Sequence, residues 1–242
     1  MRIRRRRVAT LGHNGPMCGR FTLTSGDVDA LARRFGADLP AGGTERYNVA
    51  PTEDVLVVGA GAGGAREARL VRWGLVPSWA QEIKGPPVIN ARAETLGVKK
   101  PFAALVARAD RRCLVLADGF YEWLRPEDRR QPRQPFRFAL SDGEPFAFAG
   151  LWGWARPGGE WRASATIVTC APNPLVARLH DRMPVILPGP DAEQAWLTAN
   201  GPLEDTLALC APLDAGRMTV LPANPAVNRS GIEEGPELHV AS

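Results

Sequence analysis

The chain has 242 residues, 45% hydrophobic and 23% charged, which is typical of a globular domain with a substantial core. Its formal charge of +4 comes from 30 basic and 26 acidic residues; without the five arginines between Arg2 and Arg7 the balance is 25 against 26, or −1, so overall charge does not indicate a nucleic-acid-binding protein. No apolar stretch reaches the roughly 18 residues of a membrane helix, which argues against a membrane protein.

Residues 1–16 form a basic segment without apolar periodicity, and they end in Asn14-Gly15-Pro16. No apolar core of signal-peptide length follows the arginines, so a secretion signal is not predicted. We expect this segment to be a leader, disordered or left out when translation starts at Met17. The folded domain is expected to span residues 17–242.

The predicted elements follow from apolar periodicity and β-branched content. In chain order they are a helix at Ser25–Phe35 capped by Ser25, strands at Val55–Val58 and Arg69–Trp73, a helix at Phe102–Ala109, strands at Cys113–Ala117, Phe136–Ala139, Phe146–Leu151 and Ala165–Thr169, and helices at Asp191–Ala199 and Leu203–Leu209. Loops are predicted at Gly59–Gly64, Arg125–Gln134 and Gly158–Gly159.

Strands dominate the middle of the chain, helices flank them, and no βαβ repetition is visible. This order predicts a single α+β domain. We expect a curved, largely antiparallel β-sheet or barrel-like core, flanked by helices.

The four cysteines are widely spaced, and the chain has three histidines and no Cys-x-x-Cys pair. Structural zinc sites bring paired ligands at short spacing, so neither a metal nor another cofactor is predicted. Disulfides are not expected without a secretion signal. Cys113, Cys170 and Cys210 lie in apolar surroundings and are interpreted as structural.

Cys18 lies in the segment Met17-Cys18-Gly19-Arg20-Phe21. If translation starts at Met17, methionine removal leaves Cys18 with a free α-amine, whose reference pKa is about 7.7–8.0, beside a thiol of about 8.5. Amines condense with aldehydes to Schiff bases, and the β-thiol can then close a thiazolidine ring. In the full chain the nitrogen of Cys18 is an amide and cannot do this. Alternatively, Cys18 is an ordinary buried small residue.

Six further motifs follow in order: Arg20-Phe21, Arg46-Tyr47-Asn48-Val-Ala-Pro51, Arg72-Trp73-Gly-Leu-Val-Pro77-Ser-Trp79, Val88-Ile-Asn90-Ala-Arg92-Ala-Glu94-Thr95, Ala117-Asp-Gly-Phe-Tyr-Glu122-Trp123 and His180-Asp-Arg182-Met-Pro184. Together with Cys18, this ordered set resembles the SRAP (SOS response-associated peptidase) family. A weaker match, Val227-Asn228 with Gly235-Pro-Glu-Leu238, lies near the C-terminus. The resemblance covers essentially the whole chain after Pro16.

The resemblance implies a protein that binds single-stranded DNA and cross-links to abasic sites through an N-terminal cysteine, which is Cys18 here. The open abasic sugar is an aldehyde, which suits an aminothiol. Glu122 is then the acid/base, His180 transfers a proton to the sugar or assists reversal, and Asn90 holds the sugar hydroxyl or the amine. A monomer in the cytoplasm, associated with the nucleoid, is expected.

The same motifs contain candidate DNA-binding residues. The arginines could bind phosphate through their planar guanidinium groups, and the aromatic rings could stack on bases next to the lesion. The residues are Arg20, Phe21, Asn48, Trp73, Trp79, Arg92 and Arg182, with Arg46 as a further phosphate candidate. Tryptophan is usually well buried, and Trp79 follows a loop-like Pro77-Ser78, so Trp79 is preferred over Trp73. Glu94 is expected to pair with Arg92 or another arginine.

Two other functions remain open. Cys18 and His180 could form the nucleophile–base pair of a cysteine peptidase whose own leader is a substrate. The chain could also be a non-catalytic single-strand DNA binder. Removal of the leader that depends on Cys18 would favour the peptidase, whereas salt-sensitive DNA binding that survives Cys18→Ala would favour the passive binder.

Overall fold

The computed structural model describes residues 19–124, 130–231 and 235–239. Cys18, residues 1–16 and part of the predicted loop Arg125–Gln134 lie outside these ranges. The described residues form α1 Val28–Phe35, α2 Phe102–Val106, α3 Pro190–Thr198 and α4 Leu203–Ala208. The strands are β1 Phe21–Leu23, β2 Arg46–Val49, β3 Asp54–Ala60, β4 Arg66–Trp73, β5 Asn90–Arg92, β6 Arg112–Ala117, β7 Gly119–Leu124, β8 Gln134–Leu140, β9 Phe146–Ala155, β10 Arg162–Cys170, β11 Met183–Pro184, β12 Ile186–Leu187 and β13 Met218–Pro222.

Five of the strands close a barrel. The pairs β10–β4, β4–β3, β3–β6, β6–β9 and β9–β10 form a complete ring, in which only β10–β4 is parallel. Closure removes the free edges that an open sheet would expose. The short strands β5, β11 and β12 attach to its β10 and β9. The predicted α+β class with a barrel-like core is therefore confirmed.

A second sheet packs against the barrel, with its strands in the order β13-β8-β7-β1-β2 and every pair antiparallel. An aromatic cluster lies between the two sheets. In it, the Phe21 ring stands edge-on to Trp73 at 5.1 Å and to Phe148 at 5.8 Å between centroids. Such contacts add to the burial of large apolar area, so β1 is held firmly against the barrel.

Helices α1 and α3 are joined to the barrel by a buried charge. Glu193 of α3 is fully buried and accepts hydrogen bonds from Arg34 of α1 at 2.7 and 3.0 Å. Arg66 of β4 lies 3.7 Å from the same carboxylate. A buried carboxylate needs such partners, and here they join three elements distant in sequence.

All six predicted strands and four predicted helices are present, with bounds that differ by a few residues. The predicted cap of the first helix is wrong: Asp27, not Ser25, caps α1, and its side chain accepts from the Ala30 amide at 2.8 Å. The β3–β4 hairpin has a shorter loop than Gly59–Gly64, because β3 continues to Ala60. Gly158–Gly159 makes the predicted turn, between β9 and β10. Among the described residues, no helix is long and apolar enough to cross a membrane.

Candidate functional site

The described chain begins beside β7, next to a buried acid. The Tyr121 amide donates to the Arg20 carbonyl at 3.0 Å, and Phe21 pairs with Phe120. This antiparallel register brings Gly19 opposite Glu122, whose side chain is only 2% exposed. Cys18 lies outside the described residues. The β1–β7 register thus places Gly19 beside the β7 strand that carries Glu122.

Asn90 is connected to β1 through the aromatic cluster. It begins β5 and lies opposite Ile167 in the parallel pairing with β10. The carbonyl of the preceding residue, Ile89, accepts a hydrogen bond from the indole of Trp73 at 3.0 Å, and Trp73 packs on Phe21. Buried indole and backbone groups thus fix the position of Asn90 relative to the N-terminal strand.

His180 is held in one orientation by the turn that contains it. Its Nδ1 accepts a hydrogen bond from the Arg182 amide at 3.1 Å, so the neutral ring carries its proton on Nε2. The carboxylate of Asp181 also lies 3.1 Å from Nδ1, a contact that becomes an ion pair only when the ring is doubly protonated. The backbone amide decides the neutral form, because a peptide N–H is an obligatory donor. Neutral His180 is therefore a proton donor through Nε2.

Arg182 already has protein partners. Its guanidinium meets the Glu94 carboxylate with two hydrogen bonds and donates to the Thr169 carbonyl at 2.7 Å. The hydrogen bonds from Arg182 hold the pKa of Glu94 below its usual value. Glu94 therefore pairs with Arg182. The Arg182 side chain is 12% exposed, so a phosphate would have to share its guanidinium with Glu94. Arg92, the last residue of β5, is exposed.

Arg20 and Asn48, both predicted to contact DNA, form hydrogen bonds with other parts of the protein. Arg20 Nη1 donates to the Asn48 side chain at 2.8 Å and to the Val227 carbonyl at 2.6 Å. The Asn48 amide donates to the Arg229 carbonyl at 2.9 Å, and Asn48 is 1% exposed. These bonds argue against the predicted contacts of Arg20 and Asn48 with DNA. Both side chains anchor the C-terminal segment, residues 224–231 and 235–239.

The C-terminal segment also fixes the end of β7. This role of the segment was not predicted. The Trp123 indole, next to Glu122, donates to the Asn228 side chain at 2.7 Å. Asn228 in turn donates to the Arg133 carbonyl at 3.0 Å. The Tyr121 hydroxyl donates to the Tyr47 carbonyl under the same segment. The weak Val227-Asn228 motif was the one sequence signal for this role.

Two of the three aromatic rings predicted to stack on DNA are in the core. Phe21 and Trp73 are 1% and 0% exposed and pack against each other, so neither offers a ring face to a base. Their burial argues against the predicted role, because core packing already uses both rings. Trp79 differs, since it is 59% exposed. Arg46, the further phosphate candidate, forms an ion pair with Glu53.

The other three cysteines are buried. Burial raises the pKa of Cys170 to about 11 and that of Cys210 to about 12, and it raises the pKa of Cys113 still further. Thiols of this kind stay protonated at neutral pH and are poor nucleophiles. Within residues 19–124, 130–231 and 235–239, no group of three or more His, Cys, Asp or Glu side chains could hold a metal ion.

Comparison with known proteins gives a consistent result. Residues 17–230 match the family model described as SOS response associated peptidase (SRAP). The chain is 40% identical over 228 residues to abasic site processing protein YoqW of Bacillus subtilis, covering 92% of this chain and 98% of that protein. It is 33% identical over 190 residues to abasic site processing protein YedK of Escherichia coli, covering 75% and 79%. A crystal structure from Bordetella bronchiseptica superimposes with a TM-score of 0.74 at 29% identity, covering 86% of this chain and all of that one.

Proposed function

This chain belongs to the SOS response associated peptidase (SRAP) family, and from that membership we propose that it processes abasic sites in single-stranded DNA by cross-linking to them through Cys18. Two relatives are named abasic site processing proteins. The observation that carries the proposal is the β1–β7 register, which brings Gly19 opposite the buried Glu122. Cys18 directly precedes Gly19 in the sequence, which supports Glu122 as the acid/base for its amine.

The proposed reaction needs only the aminothiol and the aldehyde. The α-amine of Cys18 adds to C1′ of the ring-opened sugar, and loss of water gives an imine. The thiolate then adds to the imine carbon while the nitrogen takes up a proton, which closes a thiazolidine. The net change is the loss of one water, so neither a cofactor nor an oxidant is required.

We assign the proton transfers to Glu122 and His180. Glu122 is 2% exposed, and a carboxyl group can alternate between acid and base during proton transfer. The Nε2 proton of neutral His180 can be given to the sugar oxygen as the ring opens. Asn90, an uncharged amide, can hold the sugar hydroxyl or the amine without competing for a proton. Arg92 and Trp79, both exposed, are left to contact the phosphate and a neighbouring base.

The proposal requires Cys18 at the N-terminus. An amide nitrogen is not a nucleophile, so a chain that retains residues 1–17 cannot form the imine. We therefore propose that the active form begins at Cys18, after translation from Met17 and removal of the methionine. The match of the family model from residue 17 supports this choice.

Intact mass spectrometry tests the proposal. A chain started at Met17 is incubated with single-stranded DNA that contains one abasic site, alongside the chain started at Met1 and the Cys18→Ala variant. We expect an adduct at the mass of protein plus DNA minus water, formed only by the first chain. The Met1 chain is the control for the amine, because it keeps the Cys18 thiol while the Cys18 nitrogen is an amide.

Other outcomes would identify the alternatives. No adduct from a chain shown to begin at Cys18 would refute the proposed reaction. Loss of the leader from the Met1 chain, abolished by Cys18→Ala, would indicate a peptidase. Salt-sensitive DNA binding without any adduct, unchanged in Cys18→Ala, would indicate a passive binder.

A further inference from the structure

We propose that a second surface, formed by Trp79, Trp154, Trp161, Arg108, Arg111 and Arg156 and here named the tryptophan face, binds the single-stranded DNA that flanks the lesion. This inference rests on the proposed action on single-stranded DNA. Trp154 and Trp161 are 42% and 68% exposed, although tryptophan is normally well buried. Large exposed aromatic rings close together mark a binding surface.

Arginine and tryptophan alternate on this face. The Arg156 guanidinium lies 5.9 Å from the centre of the Trp161 ring, and that of Arg111 lies 5.6 Å from the centre of Trp152. Trp152 and Trp154 project from the same side of β9, with centroids 6.2 Å apart. Surfaces that bind single strands combine stacking rings with positive charges that follow the backbone.

A cavity of about 220 Å³ opens on the face between Trp79 and Trp154. Leu75 and Leu105 contribute apolar lining, and Arg108 and Arg111 also border the cavity. Its volume is roughly seven times the 30 Å³ that one water occupies in the liquid. An apolar pocket flanked by two indoles and two guanidinium groups suits a planar base whose phosphate stays outside.

The charge around the face favours a polyanion. Both Arg108 and Arg111 contact Asp110, at 2.7 and 3.5 Å, so a phosphate would compete with this carboxylate. Even so, positive charge is in excess by two. The groups counted are Arg69, Lys84, Arg108, Arg111, Arg156 and Arg162 against Glu67, Glu82, Asp110 and Glu160. The excess positive charge disfavours a purely apolar partner. The exposed rings favour a nucleic acid strand, whose bases can stack, over an acidic protein surface.

The face is continuous with the candidate site. The Val76 amide, at the cavity, donates to the Ser164 hydroxyl of β10 at 2.9 Å. Asn90 pairs with Ile167, three residues further along β10, which is about 10 Å at 3.3–3.4 Å per residue. The Gly158 amide donates to the Gln81 carbonyl at 2.8 Å, which holds the loop of Trp79 beside the β9–β10 turn. A strand bound at Asn90 can thus continue onto the tryptophan face.

Fluorescence anisotropy with a labelled oligothymidylate that contains no abasic site tests the inference. Stacking of one base is worth about 1–3 kcal/mol by alanine substitution, so we expect Trp154→Ala to weaken binding by about 5- to 150-fold. Trp154→Phe keeps a stacking ring and should retain most of the affinity. Leu221→Ala is the control, because Leu221 is also an exposed apolar residue, at 64%, but lies on β13 in the other sheet. An oligothymidylate too short to leave the Asn90 region should not distinguish Trp154→Ala from the unchanged protein.

The contribution of Arg108 and Arg111 to DNA binding is measured separately, from its dependence on salt. Replacement of both Arg108 and Arg111 by Gln should lower the slope of log K against log salt by up to about 1.4, at about 0.7 per phosphate on a single strand. Equal binding of the long oligonucleotide by Trp154→Ala and the unchanged protein, with equal melting temperatures, would overturn the inference. This test is independent of the cross-linking test. If Trp154→Ala binds DNA normally, the chain that begins at Cys18 can still form the adduct. If that chain forms no adduct, Trp154→Ala can still weaken DNA binding.

Discussion

Arg20 offers a direct choice between two roles, because the sequence predicts a phosphate contact and the structure indicates an anchor. We consider the substitution Arg20→Gln. It removes the donor that reaches the Asn48 side chain at 2.8 Å and the Val227 carbonyl at 2.6 Å. Both acceptors are partly buried, so water replaces the lost partner poorly. Hydrogen bonds from charged groups contribute about 1.5–3 kcal/mol each.

Two such bonds at the lower end amount to about 3 kcal/mol. For a domain of 150–250 residues, each kcal/mol shifts the melting temperature by about 2–4 °C. We therefore expect Arg20→Gln to lower the melting temperature by about 6–12 °C if the C-terminal segment unfolds with the rest. The assay is thermal unfolding followed by circular dichroism, with Arg33→Gln as control. Arg33 is exposed on α1, so its replacement by Gln removes the same charge without breaking a buried contact.

The same variant tests the phosphate role through DNA binding. A lost phosphate contact would reduce the salt slope of single-strand binding by about 0.7 and leave the melting temperature nearly unchanged. That result would refute the assignment of Arg20 as an anchor. A lower melting temperature with an unchanged slope is the outcome that we expect.

Three further predictions test the site and its supports. Burial lowers the pKa of His239 to about 4, below the ordinary 6.5, so docking of the C-terminal segment is favoured above pH 6.5 and weakens as the pH falls towards 4. Hydrogen exchange at Tyr47, on which His239 packs, should rise in that range, and His239→Phe should remove the pH dependence. Glu122→Gln should slow cross-linking by about 100- to 10,000-fold in a single-turnover assay; an unchanged rate would exclude Glu122 as the acid/base. Glu193→Gln should cost about 3–5 kcal/mol of unfolding free energy in a urea titration, against little change for the exposed Glu204→Gln; equal stabilities would mean that the Arg34 contact is not stabilising.

The sequence predicted the barrel strands because each is an apolar run that the fold buries. Residues 112–117 of β6 are all buried, and the run Cys113–Ala117 is visible without any knowledge of its partners. The strands that were missed lack this signal. β5 is three residues, Asn90–Arg92, with one buried side chain, and it is a strand only because β10 offers a partner. Pairing between distant segments is not encoded in local periodicity.

The candidate site was likewise predicted only in part from the sequence. Ordered motifs identified the residues, but the choice between contact with DNA and contact with protein depends on burial, which tertiary structure decides. Phe21 and Trp73 are chemically suited to stacking on bases, yet they stack on each other. Arg182 is suited to phosphate, yet Glu94 and Thr169 use its guanidinium. Only the exposure of Trp79, from its place in a Pro-containing loop, was readable in advance.

The burial of Phe21 also determines how β1 pairs with β7. Side chains alternate along a strand, so a slip of β1 by one residue would turn Phe21 away from the barrel and bring Arg20 opposite Glu122. Exposing a buried Phe costs about 1.5–3 kcal/mol, before the loss of its contacts with Trp73 and Phe148. The register with Gly19 opposite Glu122 is therefore selected by core packing. Phe21, which was predicted to stack on a base, therefore sets the pairing of β1 with β7 through its contacts in the core.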